Sequence, residues 1–470
     1  MQRMETRHRP ANRDIGRAES TTPNKGSMGV AELVFIGVGG IIGAGFFLGA
    51  GLPIRTAGPS VLIAFVLGGI VTAQVIGALS TLAVADPQKG SFVAHSRKYL
   101  GEYAGFLQGW TYYITSVLTI SSEAVAMSIF TRMWLPHVAT WITASLYALV
   151  IVAINAFGIK NFGRIESLMS VLKIAALVGF IVFIGYLLIF GAGRGALAAQ
   201  GSFVRGGSFF PHGATGMFQS MLIVIFAYAG IGVFATAAPE MKNPKGIDKA
   251  AWITVITLAV LYIASIALLI TVMPWRAMST TSSPFVDALR HTGVPILGEI
   301  LNGIILVASF SVMAGAVFSA NQILENLGES RDAPRFVSRV SANGTSYWSL
   351  LVTTVGIGVT IAVSYMLPSN VYNFLISASS FLTFLYWFVI LWTFLSWRKK
   401  NGRKQLRVSS LAFGQPVMPI LTMAFVVFLT VYAFLQKDQR LGFYAFVALA
   451  IVISLLYAVT SAKRGRREQA

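Results

Sequence analysis

GVGGIIGAGFFLGAG, from Gly37 to Gly51, lies in the middle of the first long apolar run of the chain, Ala31 to Ile54. Gly37, Gly39, Gly40, Gly43 and Gly45 fall within nine positions. Each weakens a helix where lost backbone bonds cannot be exchanged for water. Non-helical backbone at membrane depth is tolerated only where it is buried in protein or lines a wet cavity. The stretch therefore reads as a broken helix. Its first half ends near Gly40 with carbonyls free, and its second begins near Gly45 with N–H groups free. Such a break offers acceptors for an ammonium and donors for a carboxylate, the two charges of a free α-amino acid.

The rest of the chain has the composition to match. Of 470 residues, 55% are hydrophobic and 11% charged, which excludes an ordinary soluble globular protein. Apolar runs able to cross a hydrocarbon core of about 30 Å lie near 31–54, 60–85, 102–130, 138–157, 165–190, 215–239, 250–274, 296–326, 347–367, 371–396, 416–436 and 441–461. The fold class expected is an all-α integral membrane protein of 12 transmembrane helices. The N-terminal tail is basic and has no apolar core of its own, so it does not read as a signal peptide. With no cysteine, disulfides and thiolate metal sites are excluded. His8, His95, His137, His212 and His291 fall in the tail or near run ends without ligand spacing, and read as surface residues. No cofactor is expected.

The net charge of +19 raises the question of nucleic acid, but the basic residues sit in short connections between apolar runs. Of 36 Lys and Arg residues, 27 lie in the tail, the C-terminus and the loops after even-numbered runs, and 8 in the loops after odd-numbered runs. Excess positive charge marks the cytoplasmic side. The chain thus reads as a multi-pass protein of the plasma (inner) membrane with both termini cytoplasmic and no nucleic-acid partner. The Arg398–Arg407 run, RKKNGRKQLR, is a topology anchor that also meets anionic lipids.

Membrane transporters are often built from inverted repeats with broken helices in equivalent places. A repeat of five spans puts the partner of the first break in span 6. That span reads FAYAGIGVFATAAPEMKNPKG from Phe226, with Gly230 and Gly232 flanked by alanines. The competing reading is close helix packing through small residues. The expected organisation is a basic tail (1–28), a first repeat (29–190), a second repeat (215–397), a basic loop (398–415), two further helices (416–462) and a C-terminus (463–470).

GGIIGAGFFLGAG, AGPS at 57–60, GSF at 90–92, YLGEYAGFLQGW at 99–110, Glu123 and PEMKNPKG at 239–246 occur in this order. The series resembles the amino acid permeases of the amino acid–polyamine–organocation superfamily, from about Ala31 to about Trp397. The resemblance implies a five-plus-five inverted-repeat core with broken helices 1 and 6, two C-terminal helices, and secondary transport by alternating access. It also implies a substrate site. The carboxylate meets the amides of the G-x-G turn that starts at Gly43, here those of Ala44 and Gly45. The ammonium meets carbonyls at Ile41, Phe226 and Ala229, in the turn that includes Ala227 and Gly230, and Phe226 closes over the substrate. Many relatives carry an acidic residue where this chain has Gly232, and NGTSYW at 343–348 lacks the G-V-P that often follows Asn.

Two ionisable residues read as deep in the membrane. Glu123 is nine residues from Arg132, and Lys173 nine from Arg164. At about 1.5 Å per residue each is roughly 13 Å from its interface. A charge there is costly unless paired or wetted, and is a functional candidate. In proton-coupled proteins that resemble this one, a helix 5 lysine takes the place of a sodium ion, and Lys173 fits. It would bond helix 1 carbonyls while charged, with the proton-motive force as the coupling source. Glu123 would tune the pH response or face the substrate. The alternative for both is a neutral or hydrogen-bonded side chain that braces the bundle.

Side-chain selectivity is expected from Gln108, Trp110, Tyr113, Thr119 and Ser122 on span 3, from Ser309, Ser311 and Met313 on span 8, and from Ser377, Ser379 and Ser380 on span 10. Interhelical hydrogen bonding is the plainer use of any one serine. With no second deep acid to hold a cationic side chain, a neutral amino acid is favoured. The function expected is amino acid import, by proton symport. The alternatives are an exchanger on the same fold or a non-transporting sensor. No catalytic constellation points to an enzyme. Spans 11 and 12 read as lipid-facing helices, in a monomer or homodimer.

Overall fold

The computed structural model describes residues 28–88, 90–157, 162–190, 208–341, 346–366, 371–401 and 408–468. Residues 1–27 of the basic tail, 343–345 of NGTSYW, 402–407 of the basic loop and 469–470 of the C-terminus fall outside the described residues. The described secondary structure is helical, apart from one β-bridge between Met28 and Met241. Nine helical stretches among the described residues are long and apolar enough to cross a membrane, and three shorter apolar helices accompany them, Val30–Ile41, Thr140–Ala156 and Tyr347–Val363.

The first run forms α1 (Val30–Ile41), α2 (Ala44–Phe47) and α3 (Gly51–Ala57), which lead into α4 (Val61–Ala85). At the start of α1, the Gly29 N–H donates to Glu32 Oε2 at 2.9 Å, an acid placed where the helix dipole favours it. The short α5 (Ser91–Leu100) turns into α6 (Glu102–Thr131) at Gly101, whose φ of 101° is open to glycine and costly for other residues. Then follow α7 (Thr140–Ala156), α8 (Phe162–Phe190), α9 (Gly213–Phe226), α10 (Ile231–Ala237), α11 (Gly246–Val272) and α12 (Pro284–His291). The chain ends with α13 (Pro295–Glu329), α14 (Tyr347–Met366), α15 (Val371–Asn401), α16 (Val417–Leu435) and α17 (Arg440–Glu468). Pro284 and Pro295 open α12 and α13, where a missing N–H costs nothing.

α6 packs on α13 and α15, while α1 packs on α8, α10, α11 and α13. Burial separates the centre from the lipid face. In its most apolar stretch Gly213–Glu240 is 89% buried, whereas Lys437–Ala462 is 11% buried. The last two helices are nevertheless tied to the centre. Gln439 donates to the Gln219 carbonyl at 3.2 Å, and Tyr432 to that of Thr215 at 3.1 Å.

Candidate functional site

Two helical paths stop and restart inside the bundle. α1 ends at Ile41, Ile42 and Gly43 are extended, and α2 resumes at Ala44. In the sixth run α9 ends at Phe226. The Tyr228 N–H then donates to Ile225 and the Ala229 N–H to Phe226, and α10 starts at Ile231. The two interruptions touch. A Cβ added to Gly230 would collide with the Gly40 carbonyl and lie 2.9 Å from the Ile41 Cα. One added to Gly45 would lie 2.9 Å from the edge of the Phe226 ring.

Side chains meet backbone groups at both breaks. The hydroxyls of Tyr372, Tyr262 and Tyr386 donate to the carbonyls of Ala44, Ala227 and Ala229 at 3.0, 3.0 and 2.9 Å. Phe46 stacks on Tyr262 with ring centroids 3.9 Å apart, and Phe65 and Phe285 pack around them. These rings seat α2 against α4, α11 and α12 by burying large apolar surfaces. At the start of α2 the amides are met by an acid. The Ala44 N–H donates to Glu123 Oε2 at 3.0 Å, and the Gly45 N–H to Oε1 at 3.4 Å. Glu123 is 3% exposed. Hydrogen bonds to an ionised acceptor are the stronger kind.

Tyr112, Thr115, Ser116, Thr119, Phe226 and Tyr386 line a small cavity beside this contact. Its volume is about 40 Å³. On a scale where one water needs about 10–15 Å³, that is room for a few waters. Anything larger requires the lining to move.

A second polar cluster lies between α8, α1 and α13. Lys173 is fully buried and donates to the Gly39 carbonyl at 2.5 Å and to Ser311 Oγ at 2.8 Å. One turn below, Ser170 Oγ is 2.7 Å from the Phe35 carbonyl. The Glu166 carboxylate stands 4.0 Å from the Lys173 ammonium. Among the described residues no three His, Asp or Glu side chains gather so as to hold a metal ion.

A family model described as amino acid permease matches residues 32–470. The chain belongs to the amino acid permease family. This permease is 30% identical over 445 residues to an uncharacterized transporter of Bacillus subtilis (strain 168), YcgH, covering 95% of this chain and 97% of that one. It is 30% identical over 384 residues to the gamma-aminobutyric acid permease of the same bacterium, covering 81% and 82%. Its identity to the aromatic amino acid transport protein AroP of Escherichia coli (strain K12) is 28% over 427 residues, covering 91% and 93%.

In this permease Ile41, Gly43, Ala44, Gly45, Phe226, Ala227, Ala229 and Gly230 come together at the paired interruptions, with Glu123 on the Ala44 and Gly45 amides. The first break runs from Ile41 to Ala44, one residue inside each end of the expected Gly40–Gly45 gap. Two expectations are corrected. Glu166 is a third deep ionisable group: it is 1% exposed, because its side chain turns along α8 toward Lys173 instead of reaching the interface. His95, expected at the surface, is 3% exposed, because α5 folds back under the bundle and its Nε2 lies 2.7 Å from the Asp86 carbonyl.

Of the expected selectivity residues, Thr119 lines the cavity. Gln108 donates to the Tyr386 carbonyl, Trp110 to that of Asp332, and Ser311 belongs to the Lys173 cluster. Sequence reasoning passed over Tyr112, Thr115, Ser116 and Tyr386. For the first three the signal was present, since Tyr112, Thr115 and Ser116, Thr119 and Glu123 fall at steps of three or four residues along one face of α6. Tyr112 also accounts for Gly232, because its ring occupies the space a side chain there would need.

Proposed function

We propose that this permease imports amino acids across the plasma membrane by proton symport, exposing its central site alternately to the two sides. On this reading the twelve apolar runs are twelve crossings, two inverted repeats of five followed by two further helices, with both termini cytoplasmic. The observation that carries it is the meeting of two interruptions where paired amides already hold a carboxylate. The substrate carboxylate takes over the Ala44 and Gly45 amides from Glu123. Its ammonium is held by carbonyls at Ile41, Phe226 and Ala229, and Phe226 swings aside to admit it.

Lys173 supplies the coupling. While charged, it keeps the inner half-helix α1 docked through the Gly39 carbonyl, and loss of its proton weakens that hold. Among the described residues that line the cavity Glu123 is the one carboxylate, and no second acid stands there to hold a cationic side chain. A substrate without net charge therefore suits the site. The substrates named for two relatives, gamma-aminobutyric acid and aromatic amino acids, fit that class. A thermal-shift screen against common amino acids names the ligand, because a molecule that binds only the folded state raises its apparent stability. Liposomes then test the mechanism: an inward proton gradient is expected to drive accumulation into vesicles lacking amino acid, and Lys173→Ala to abolish it while binding persists. Uptake only into preloaded vesicles would instead identify an exchanger, and binding without uptake a sensor.

A further inference from the structure

The cluster between α8, α1 and α13 contains a hydrogen-bond chain that the substrate site does not use. Lys173 Nζ donates to Ser311 Oγ at 2.8 Å, and Ser311 Oγ donates onward to Glu166 Oε1 at 2.6 Å. The direct separation of ammonium and carboxylate is 4.0 Å, so the hydroxyl stands between them. All three residues are buried, at 0%, 0% and 1% exposure for Lys173, Ser311 and Glu166. The helices close tightly on the chain, since a Cβ on Gly39 would collide with the Glu166 carboxylate and the Ser170 hydroxyl.

A buried ammonium and carboxylate cost less together than either does alone. If Lys173 lost its proton outright, Glu166 would remain as an uncompensated charge in a low-dielectric seam. Resting on the proton-coupled reading above, we infer that Glu166 is the acceptor of the Lys173 proton, with the Ser311 hydroxyl as relay. An N–H bond of the ammonium breaks as its proton joins Ser311 Oγ, and the Ser311 hydroxyl proton passes to Glu166 Oε1. Ammonium and carboxylate become amine and carboxylic acid, with no net charge leaving the pair. The Gly39 carbonyl then loses its charged donor, and the inner half of helix 1 is released. The proton has crossed the 4.0 Å between the two groups, onto a residue whose backbone lies toward the start of α8, the cytoplasmic end in the proposed topology.

Among the described residues two carboxylates face Lys173, Glu166 and Glu123. Glu166 is joined to it through Ser311, whereas Glu123 is held on the Ala44 and Gly45 amides. Of the elements packed on α8, α1 carries Glu32, α13 carries Glu299, Glu325 and Glu329, and α11 carries Asp248 and Lys249, all near helix ends. Tyr262 of α11 donates its hydroxyl to the Ala227 carbonyl.

The test uses the full-length permease and its Ser311→Ala and Glu166→Gln variants in liposomes. Accumulation driven by an inward proton gradient is compared with substrate exchange at equal pH. Each variant is expected to lose gradient-driven accumulation by about tenfold or more, with exchange reduced far less. Equal loss of both activities in Ser311→Ala would make the cluster a structural brace and overturn the relay. Undiminished accumulation in either variant would overturn it too. Should Glu166→Gln fail to fold, Ser311→Ala decides alone, because it leaves both charges in place. A wild-type protein that accumulates nothing from a proton gradient sinks the symport reading and the relay with it, a result distinct from any variant-specific one.

Discussion

At Ala44 and Gly45 the same two N–H groups have two claimants, the Glu123 carboxylate within the protein and, in the proposed function, the carboxylate of the substrate. A hydrogen bond to a charged group contributes about 1.5–3 kcal/mol net, so the internal claimant taxes binding whenever it is ionised. Glu123→Gln, a poorer acceptor, is therefore expected to bind substrate about tenfold more tightly than the wild type. Calorimetric titration of the two proteins measures the difference. Weaker binding by the variant would mean that the carboxylate helps to hold the substrate. The depth of Glu123 is legible in the sequence from its distance to Arg132, whereas its partners, 78 and 79 residues away, are not.

Among the elements, α5 shows how a connection between two long helices is bound to the bundle. Arg97 pairs with Glu102 at 2.5 Å and with Asp332 beyond the end of α13. Lys98 pairs with Asp86 at 2.8 Å. Burial drives the His95 imidazole below its ordinary value of 6.5, and the hydrogen bond with the Asp86 carbonyl offsets only part of that. Burial alone would raise the Asp86 carboxyl, but hydrogen bonds from Lys98, Tyr99 and Gln88 outweigh it and hold the group below its ordinary 3.8.

The two groups act in different pH windows. An unfolded histidine takes up a proton below about pH 6.5 while the folded ring resists. Stability is thus whole above that point and declines as pH falls through it. The contribution of Asp86 persists until the pH drops below about 4. Between pH 7.5 and 5.5 the loss of thermal stability is therefore assigned to His95, and His95→Asn is expected to flatten it. An unchanged slope in that variant would place the titrating group elsewhere. The fold-back of α5 beneath the bundle buries Phe92, Val93 and the His95 ring alike.

At the scale of the whole molecule, the distribution of Lys and Arg and the burial of the helices bear on the same question of sidedness. In the proposed topology the connection before α12 is outside and the one before α14 inside. Thr281 and Ser341 are exposed in those two connections. The chain contains no cysteine, so a single introduced thiol reports alone. In intact cells Thr281→Cys is expected to react with a membrane-impermeant maleimide, and Ser341→Cys only after permeabilisation. Labelling of both from outside would break the twelve-crossing topology.

Composition, apolar run length and the glycine clusters are local properties, and they sufficed for the membrane class, the all-helical fold and the places where two helices are interrupted. Each follows from the cost of putting particular residues into a lipid-enclosed helix, whatever their neighbours. Pairing is different in kind. Gly39, Glu166 and Ser311 lie on three separate runs, as do Ala44, Glu123 and Tyr372, and nothing local says that their side chains meet. Only the tertiary structure decided that the Glu123 carboxylate of α6 covers the Ala44 and Gly45 amides, that tyrosines donate to carbonyls at both breaks, and that a third buried ionisable group answers Lys173. A buried polar group must find a partner within hydrogen-bond reach, and which one it finds is set by how the helices pack.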